Sequence, residues 1–343
     1  DKKSRQLIRK VKRQNENAIV AVVGCYAQTA PKELMEIAGV NLVIGTKDRA
    51  QIVEMVEQYD RANGVENHVS DIMKERVFEP LSIQKLANRT RAYLKIQDGC
   101  SQYCSYCIIP YARGPIRSRE PQEVVAEVKR LAENGFKEVV LTGIHVASYG
   151  KDRRDTSLLD ILKQVHEVEG IERIRFSSIE PNVVTEEFAQ TMAALPKVCD
   201  HFHLSLQSGC DKTLKEMNRK YDTARYMESC DLLRQYFDDP AITTDLITGF
   251  PEETEEEFAQ TLDFIARVGF ADMHVFPYSI RPGTKAAEMR QIDMPVREER
   301  AARASAVAKT MHEAYLACCV GKIFPVLFER DRKGGSAGHA PNY

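Results

Sequence analysis

A chain of 343 residues is longer than one ordinary domain and suits two or three. With 43% hydrophobic residues and a formal net charge of -2, its composition is that of a globular protein and excludes a polybasic nucleic-acid binder, so any such role rests on local patches. Nine cysteines, an odd number scattered over every region, with no signal peptide and no apolar run of membrane-spanning length, exclude a disulfide framework and predict a reducing compartment, the cytoplasm.

Residues 1 to 13, DKKSRQLIRKVKR, carry seven Lys or Arg against one Asp and read as a basic helix. The run NAIVAVVG predicts a buried strand with Cys25 at its C-terminal end, followed by a turn and short helix, a second strand in NLVIGT and a helix bearing Ile52, Val53, Met55 and Val56. Together they make a β-α-β-α piece of a doubly wound sheet. Residues 61 to 90 are polar and weakly periodic, and are expected to connect rather than to form elements.

From Arg91 the rhythm becomes regular. RAYLKIQ, KEVVLTG, RIRFSSI, HFHLSLQ, AITTDLITGF and MHVFPYS read as six strands with helices between them. The first helix is well marked, with Pro121 near its first turn, Val124, Val125, Val128 and Leu131 on one face and Asn134-Gly135 as the stop. Such alternation implies parallel strands joined by right-handed crossovers, and places functional groups at the C-terminal strand ends. Thr142, Gly143, His145, Ser177, Glu180, Gln207, Ser208, Asp245, Gly249 and Tyr278 fall there. After Pro295 one long helix is expected, ending in Cys318 and Cys319 as packing residues, and the last stretch starts like a strand of a small β-domain.

Behind the first of these strands Cys100, Cys104 and Cys107 stand in DGCSQYCSYCIIPYARG, a C-x-x-x-C-x-x-C spacing. Three thiolates on one short loop can hold three irons of a 4Fe-4S cube. A ferredoxin closes its cluster with a fourth cysteine, but here none follows until Cys199, which leaves one iron open to a substrate or cofactor. Zinc remains an alternative, although structural zinc sites pair their ligands and close four positions. A cluster-free RNA-binding module is the non-enzyme alternative, since Arg113, Arg117 and Arg119 extend the loop with positive charge.

The motifs GCYAQ, QDGCSQYCSYCIIPYARGPIRSREP, LTGIHVASYG, SSIEP, HLSLQSGCDKTLKEMNRKY and DLITGFPEETEEEF cover nearly the whole chain and resemble the methylthiotransferases of the radical S-adenosylmethionine superfamily. The resemblance implies a partial (β/α)6 barrel over residues 91–318, preceded by part of a doubly wound methylthiotransferase domain over 1–78 and a linker over 79–90. The start of a TRAM domain, a small RNA-binding β-barrel, is implied over 319–343. Its closest flavour is the branch that adds a methylthio group to C2 of N6-threonylcarbamoyladenosine next to the anticodon of tRNA. The isopentenyladenosine branch and the branch modifying an aspartate of ribosomal protein S12 are the alternatives.

By the same resemblance Cys100, Cys104 and Cys107 bind the radical cluster, whose open iron takes the amino and carboxylate groups of S-adenosylmethionine. Tyr106 lies beside the adenine, and Gly143 offers backbone to the methionine amino group, although LTGIH stands where members carry GGE. Glu180 and Gln207 are implied for the ribose and methionine ends, and Ile247 and Gly249 for the adenine edge. Electron transfer into the sulfonium would release a 5'-deoxyadenosyl radical able to remove hydrogen from adenine C2. Cys25 matches one ligand of a second 4Fe-4S cluster that carries the methylthio group. The other two ligands should precede it, so the chain is expected to be truncated at both ends, able to cleave S-adenosylmethionine but not to transfer sulfur. The implied partners are the anticodon stem-loop of tRNA, contacted by Arg113, Arg117 and Arg119, an electron donor such as flavodoxin or ferredoxin, and a sulfur source. No membrane partner is expected.

Overall fold

The computed structural model describes residues 2–80, 90–332 and 335–343, so the expected linker lies almost wholly outside the described residues. The chain forms two compact units. One comprises Asp1–Ser82, Gly99–Ser101 and Ile108–Arg117; the other comprises Ile83–Asp98, Gln102–Cys107 and Ser118–Tyr343. Among the described residues no helix is long and apolar enough to cross a membrane.

The first unit is built on a three-stranded parallel sheet of β1 (Ala21–Val23), β2 (Leu42–Ile44) and β3 (Glu66–His68), in that order. All three residues of β2 are buried, as the centre of a parallel sheet requires. Val43 packs with Val20, Ala27, Leu34 and Val40, and Ile8 is the one buried residue of the basic helix Lys2–Gln14, closing this small core. The segment expected only to connect thus supplies β3. Its sequence, ENH, carries no apolar alternation because an edge strand is held by backbone pairing, as in the bond from the Glu66 amide to the Asn41 carbonyl of 2.9 Å.

The second unit follows the expected alternation. Its strands are β4 (Arg91–Asp98), then, after the two-residue β5 (Arg117–Ser118), of which only Ser118 belongs to this unit, β6 (Glu138–Gly143), β7 (Arg173–Phe176), β8 (His201–His203), β9 (Ala241–Thr248) and β10 (Asp272–Pro277). β4 pairs with β6, β6 with β7, β8 with β9 and β9 with β10, all parallel, and the bridges Ile174 to Val198 and Ile179 to Leu204 carry the sheet past β7 toward β8. Apart from the two-residue β5, the strands lie in chain order around a six-stranded half-barrel. Crossover helices such as Pro121–Glu133, Leu158–His166 and Glu255–Val268 cover its outer face. Ser157, Thr185 and Asp222 cap helices through their side chains, and Thr254 forms a full capping box with Glu257, which is why each helix starts where it does. Along β9 Ile242, Thr244, Leu246 and Thr248 are buried, whereas the alternate residues Thr243, Asp245 and Ile247 are half-exposed on the other face.

The long helix runs Met294–Cys319, and β11 (Leu327–Arg332) pairs antiparallel with β12 (Gly335–His339). Cys318 is exposed rather than packed, because it falls on the outer face of the helix end, while Cys319 is half-buried. At the other end of the barrel strands Glu138, fully buried, draws in Arg91 at 2.8 Å and Arg175 at 3.0 Å. Arg173 Nη1 donates to the His339 carbonyl at 2.7 Å, and Arg175 to those of Ala340 and Pro341.

Candidate active site

Within the half-barrel unit the loop carrying Cys104 and Cys107 is held from three directions. The Cys107 amide donates to the Cys104 carbonyl (3.0 Å), turning the chain between the two thiols. Buried Ser105 donates its amide to the Met217 carbonyl and accepts from the Ala286 amide at 2.8 Å. Asn218 Nδ2 donates to the Tyr103 carbonyl at 2.8 Å, and Arg219 Nη1 to Sγ of Cys104 at 3.3 Å. The stretch MNRKY is therefore the clamp on the cysteine loop.

Behind Cys104 lies a buried charge network. Glu180 accepts from Gln102 Nε2 at 3.2 Å, and its carboxylate stands 3.6 Å from His145 Nε2 and 3.4 Å from Arg219 Nη2. Burial would raise the Glu180 pKa, but the neighbouring His145 and the charge of Arg219 outweigh it, so the carboxyl is held below its ordinary value. Burial would likewise lower the pKa of Arg219, yet Tyr221, Tyr106, Cys104 and Glu180 drive it up, and the guanidinium stays charged.

Tyr106 and Ile247, both implied for the adenine, pack against one apolar cluster of Met217, Phe250, Tyr278 and Ala286. Burial pushes the Tyr106 hydroxyl well above its usual range and keeps it neutral. Gly143 packs so tightly that a Cβ would stand 2.8 Å from Gln97 Oε1 and 3.1 Å from Val146 Cα, and the same Gln97 oxygen accepts from the His145 amide. Gln207 takes a left-handed φ of 70°, which lets its amide reach the Asp245 carbonyl while its own carbonyl receives the Ile247 amide, both at 2.9 Å. Gly249 has a φ of 65°, and its amide donates to Glu253 Oε2. The rim residues named from sequence thus sit at the ends of β6, β7, β8 and β9. His145, named with them, stands beside Glu180, and Gln102 and Arg219 complete the set. Arg219 lay inside a quoted motif, but nothing in an isolated arginine announces a thiol as its partner.

Below the rim the barrel encloses a cavity of about 580 Å³ bordered by Thr142, Ser177, His203, Thr243, His274 and Tyr343. His203 bridges Thr243 Oγ1 at 3.0 Å and Asp245 Oδ2 at 3.3 Å.

Within the other unit Cys25 begins the helix Cys25–Thr29, and Arg113 Nε donates to its Sγ at 3.2 Å. The Cys100 amide donates to the Gly114 carbonyl at 3.0 Å. Arg117 is buried and donates to the carbonyls of Arg113 and Pro115. In the half-barrel unit buried Arg119 faces Glu123 at 3.5 Å and Glu127 at 3.8 Å. A phosphate contact by Arg117 or Arg119 would require these partners to be given up.

The family model described as "Radical SAM superfamily" matches residues 94–265, and that of "Uncharacterized protein family UPF0004" matches residues 1–45. The whole chain aligns at 42% identity with 78% of the threonylcarbamoyladenosine tRNA methylthiotransferase MtaB of Bacillus subtilis. The chain belongs to the methylthiotransferases of the radical S-adenosylmethionine superfamily. Its cofactors are accordingly a 4Fe-4S cluster and S-adenosylmethionine. The MtaB of Aquifex aeolicus is 38% identical over 88% of this chain and 73% of that protein, and the tRNA-2-methylthio-N(6)-dimethylallyladenosine synthase of Thermoanaerobacter sp. is 39% identical over 94% and 69%. Among solved structures the radical S-adenosylmethionine methyltransferase TsrM of Kitasatospora setae superimposes with a TM-score of 0.63 at 17% identity, over 83% of this chain and 61% of that one. The cobalamin-dependent enzyme OxsB does so with 0.56 at 12% identity, over 90% and 46%. These two likenesses show the fold.

The donor chemistry fits the cofactors. Cys100, Cys104 and Cys107 are half-buried thiols, soft donors suited to iron-sulfur ligation, and no cysteine is in a disulfide among the described residues. Those residues hold no three Cys, His, Asp or Glu side chains already gathered as a metal cage, so the ligand set rests on the motif and on donor type.

Proposed function

We propose that this chain is a tRNA methylthiotransferase acting on C2 of N6-threonylcarbamoyladenosine beside the anticodon. The observation that carries this reading is the likeness, over this chain's whole length and 78% of the relative, to the Bacillus subtilis enzyme of that name. Cys100, Cys104 and Cys107 would hold the radical cluster, and Cys25 would serve as a ligand of a second one. When bound, cluster and S-adenosylmethionine supply one-electron cleavage of a carbon-sulfur bond, chemistry that no side chain provides.

The chain's own residues would bind and orient. Tyr106 and Ile247, on one apolar cluster, would flank the adenine and exclude water; the Gly143 and Gly249 backbones would approach the methionine and adenine ends. Glu180, held ionised, suits the ammonium or hydroxyl groups of the cofactor, with Gln207 beside it. The cavity is large enough for a modified nucleoside, and His203 and His274 on its wall offer it polar groups. The exposed cations of helix Lys2–Gln14 suit RNA phosphates, and the hairpin β11-β12 would open the RNA-binding TRAM domain from residue 319. In this reading residues 1–78 form the methylthiotransferase domain and 91–318 the radical core. A one-electron donor of the flavodoxin or ferredoxin type and a sulfur source complete the reaction, in the reducing cytoplasm where thiolate-held clusters persist.

The likeness to the Thermoanaerobacter synthase favours isopentenyladenosine as a second reading. Stem-loops deuterated at C2 of either modified adenosine separate the two. Transfer of deuterium into 5'-deoxyadenosine from the threonylcarbamoyl substrate alone is the expected result. Transfer from the isopentenyl substrate alone selects the second reading, and transfer from neither removes both.

A further inference from the structure

Arg219 is immobilised on three sides. Its side chain is 8% exposed; Nη1 donates to Cys104 Sγ at 3.3 Å, Nη2 faces Glu180 Oε1 at 3.4 Å, and Nε donates to the Tyr221 hydroxyl at 2.9 Å. Its guanidinium carbon lies 4.8 Å from the centre of the Tyr221 ring. Tyr221 is itself anchored, because its hydroxyl donates to the Leu206 carbonyl at 2.8 Å. A permanently charged fork held in this way cannot swing to solvent, so its charge acts on the sulfur it touches.

The geometry points to Arg219 as a positioning residue of the radical cluster, which fixes the Cys104 thiolate and raises the cluster's reduction potential. The inference rests on the reading that Cys104 is a cluster ligand. Reduction adds one negative charge, delivered by an external one-electron donor and spread over the iron and sulfur atoms. A fixed cation at hydrogen-bond distance from a ligand sulfur stabilises that reduced form more than the oxidised one. Lysine would not substitute, since a single ammonium cannot serve Cys104, Glu180 and Tyr221 from one place. Glu180, on the far side of the guanidinium, partly offsets the effect, which makes the pair an adjustable electrostatic setting rather than a bare charge.

The test uses the anaerobically reconstituted chain and its Arg219→Met and Arg219→Lys variants, analysed for iron and sulfide and then for midpoint potential by redox titration followed by electron paramagnetic resonance. Expected is a cluster retained in Arg219→Met with its midpoint shifted to more negative potential, and a smaller shift in Arg219→Lys. An unchanged midpoint at full iron content overturns the inference. Should Arg219→Met not hold iron, the midpoint of Arg219→Lys decides by the same criterion. Loss of iron from both variants makes Arg219 a support of the loop and overturns its electrostatic role. An unmutated chain without iron overturns the cluster assignment itself, and this inference with it.

Discussion

The side chain of Arg113 donates from Nε to Sγ of Cys25 at 3.2 Å, so an arginine from the loop segment just after Cys107 in sequence is committed to a thiol at the end of β1. The helix Ile109–Arg113 that carries it is fixed by Thr46, whose hydroxyl donates to the Ala112 carbonyl at 2.7 Å. A cation that reads from sequence as a phosphate contact is here part of the first unit's internal packing.

This arrangement separates RNA binding from loop support. Replacing the exposed Arg9, Lys10 and Arg13 by Gln should lower the salt dependence of tRNA affinity, each lost phosphate contact removing roughly 0.7 to 0.9 from the log-log slope. Arg117→Met should leave that slope unchanged and lower the unfolding temperature, because the part-buried carbonyls of Arg113 and Pro115 lose their donor. Filter binding at several salt concentrations checks both; a reduced slope for Arg117→Met would place that residue on the RNA.

Glu180→Gln keeps the shape of the network but leaves the Arg219 charge buried without its carboxylate. Breaking such a pair costs about 3 kcal/mol. S-adenosylmethionine affinity, measured by calorimetry on reconstituted protein, should fall while iron content holds. Because the carboxyl pKa is depressed in the folded chain, its contribution to stability is present above the unfolded value and is lost as pH falls through the folded one. The acid limb of the stability curve should therefore flatten in the variant.

Glu253 titrates in the opposite sense. Burial pushes its carboxyl up to about 7 despite the Gly249 amide and Arg300 at 2.8 Å, with buried Glu257 adding repulsion. The folded chain then holds a proton that the unfolded chain releases near 4.5, so this group makes stability decline as pH rises from about 4.5 to about 7 and level off above. Urea midpoints of the metal-free chain at several pH values should lose that decline in Glu253→Gln. An identical profile in both proteins would refute the assignment.

At Gly249 the left-handed backbone and the neighbouring Arg297 act together. A Cβ there would stand 2.6 Å from Arg297 Cγ. Gly249→Ala should destabilise by about 1–3 kcal/mol from strain and overpacking, and weaken S-adenosylmethionine binding by displacing the end of β9. Thermal unfolding and calorimetry check the two effects; an unchanged melting temperature would show that Arg297 moves aside without cost.

The half-barrel is legible in sequence because its strands, buried on the outer face by helices, keep β-branched and apolar residues at regular spacing, as in KEVVLTG and AITTDLITGF, with capped helices between them. The polar edge strand Glu66–His68 is not, since backbone pairing alone holds it. Tyr106 and Ile247 are 141 positions apart in numbering yet share one apolar cluster, and only the family resemblance links them beforehand. The Arg219 contact with Cys104 is invisible to periodicity and composition alike, because it depends on how a loop after β8 folds back on a loop after β4.

The central claim, an open-iron cluster on the cysteine loop that engages S-adenosylmethionine, is tested most directly by anaerobic iron and sulfide analysis with electron paramagnetic resonance of the reduced protein. The unmutated chain is compared with its Cys100→Ala, Cys104→Ala, Cys107→Ala variant. The account predicts about four irons on this loop, lost in the variant, and a signal that changes when S-adenosylmethionine is added. An unmutated chain that takes up no iron, or a variant that keeps all of it, would contradict the account.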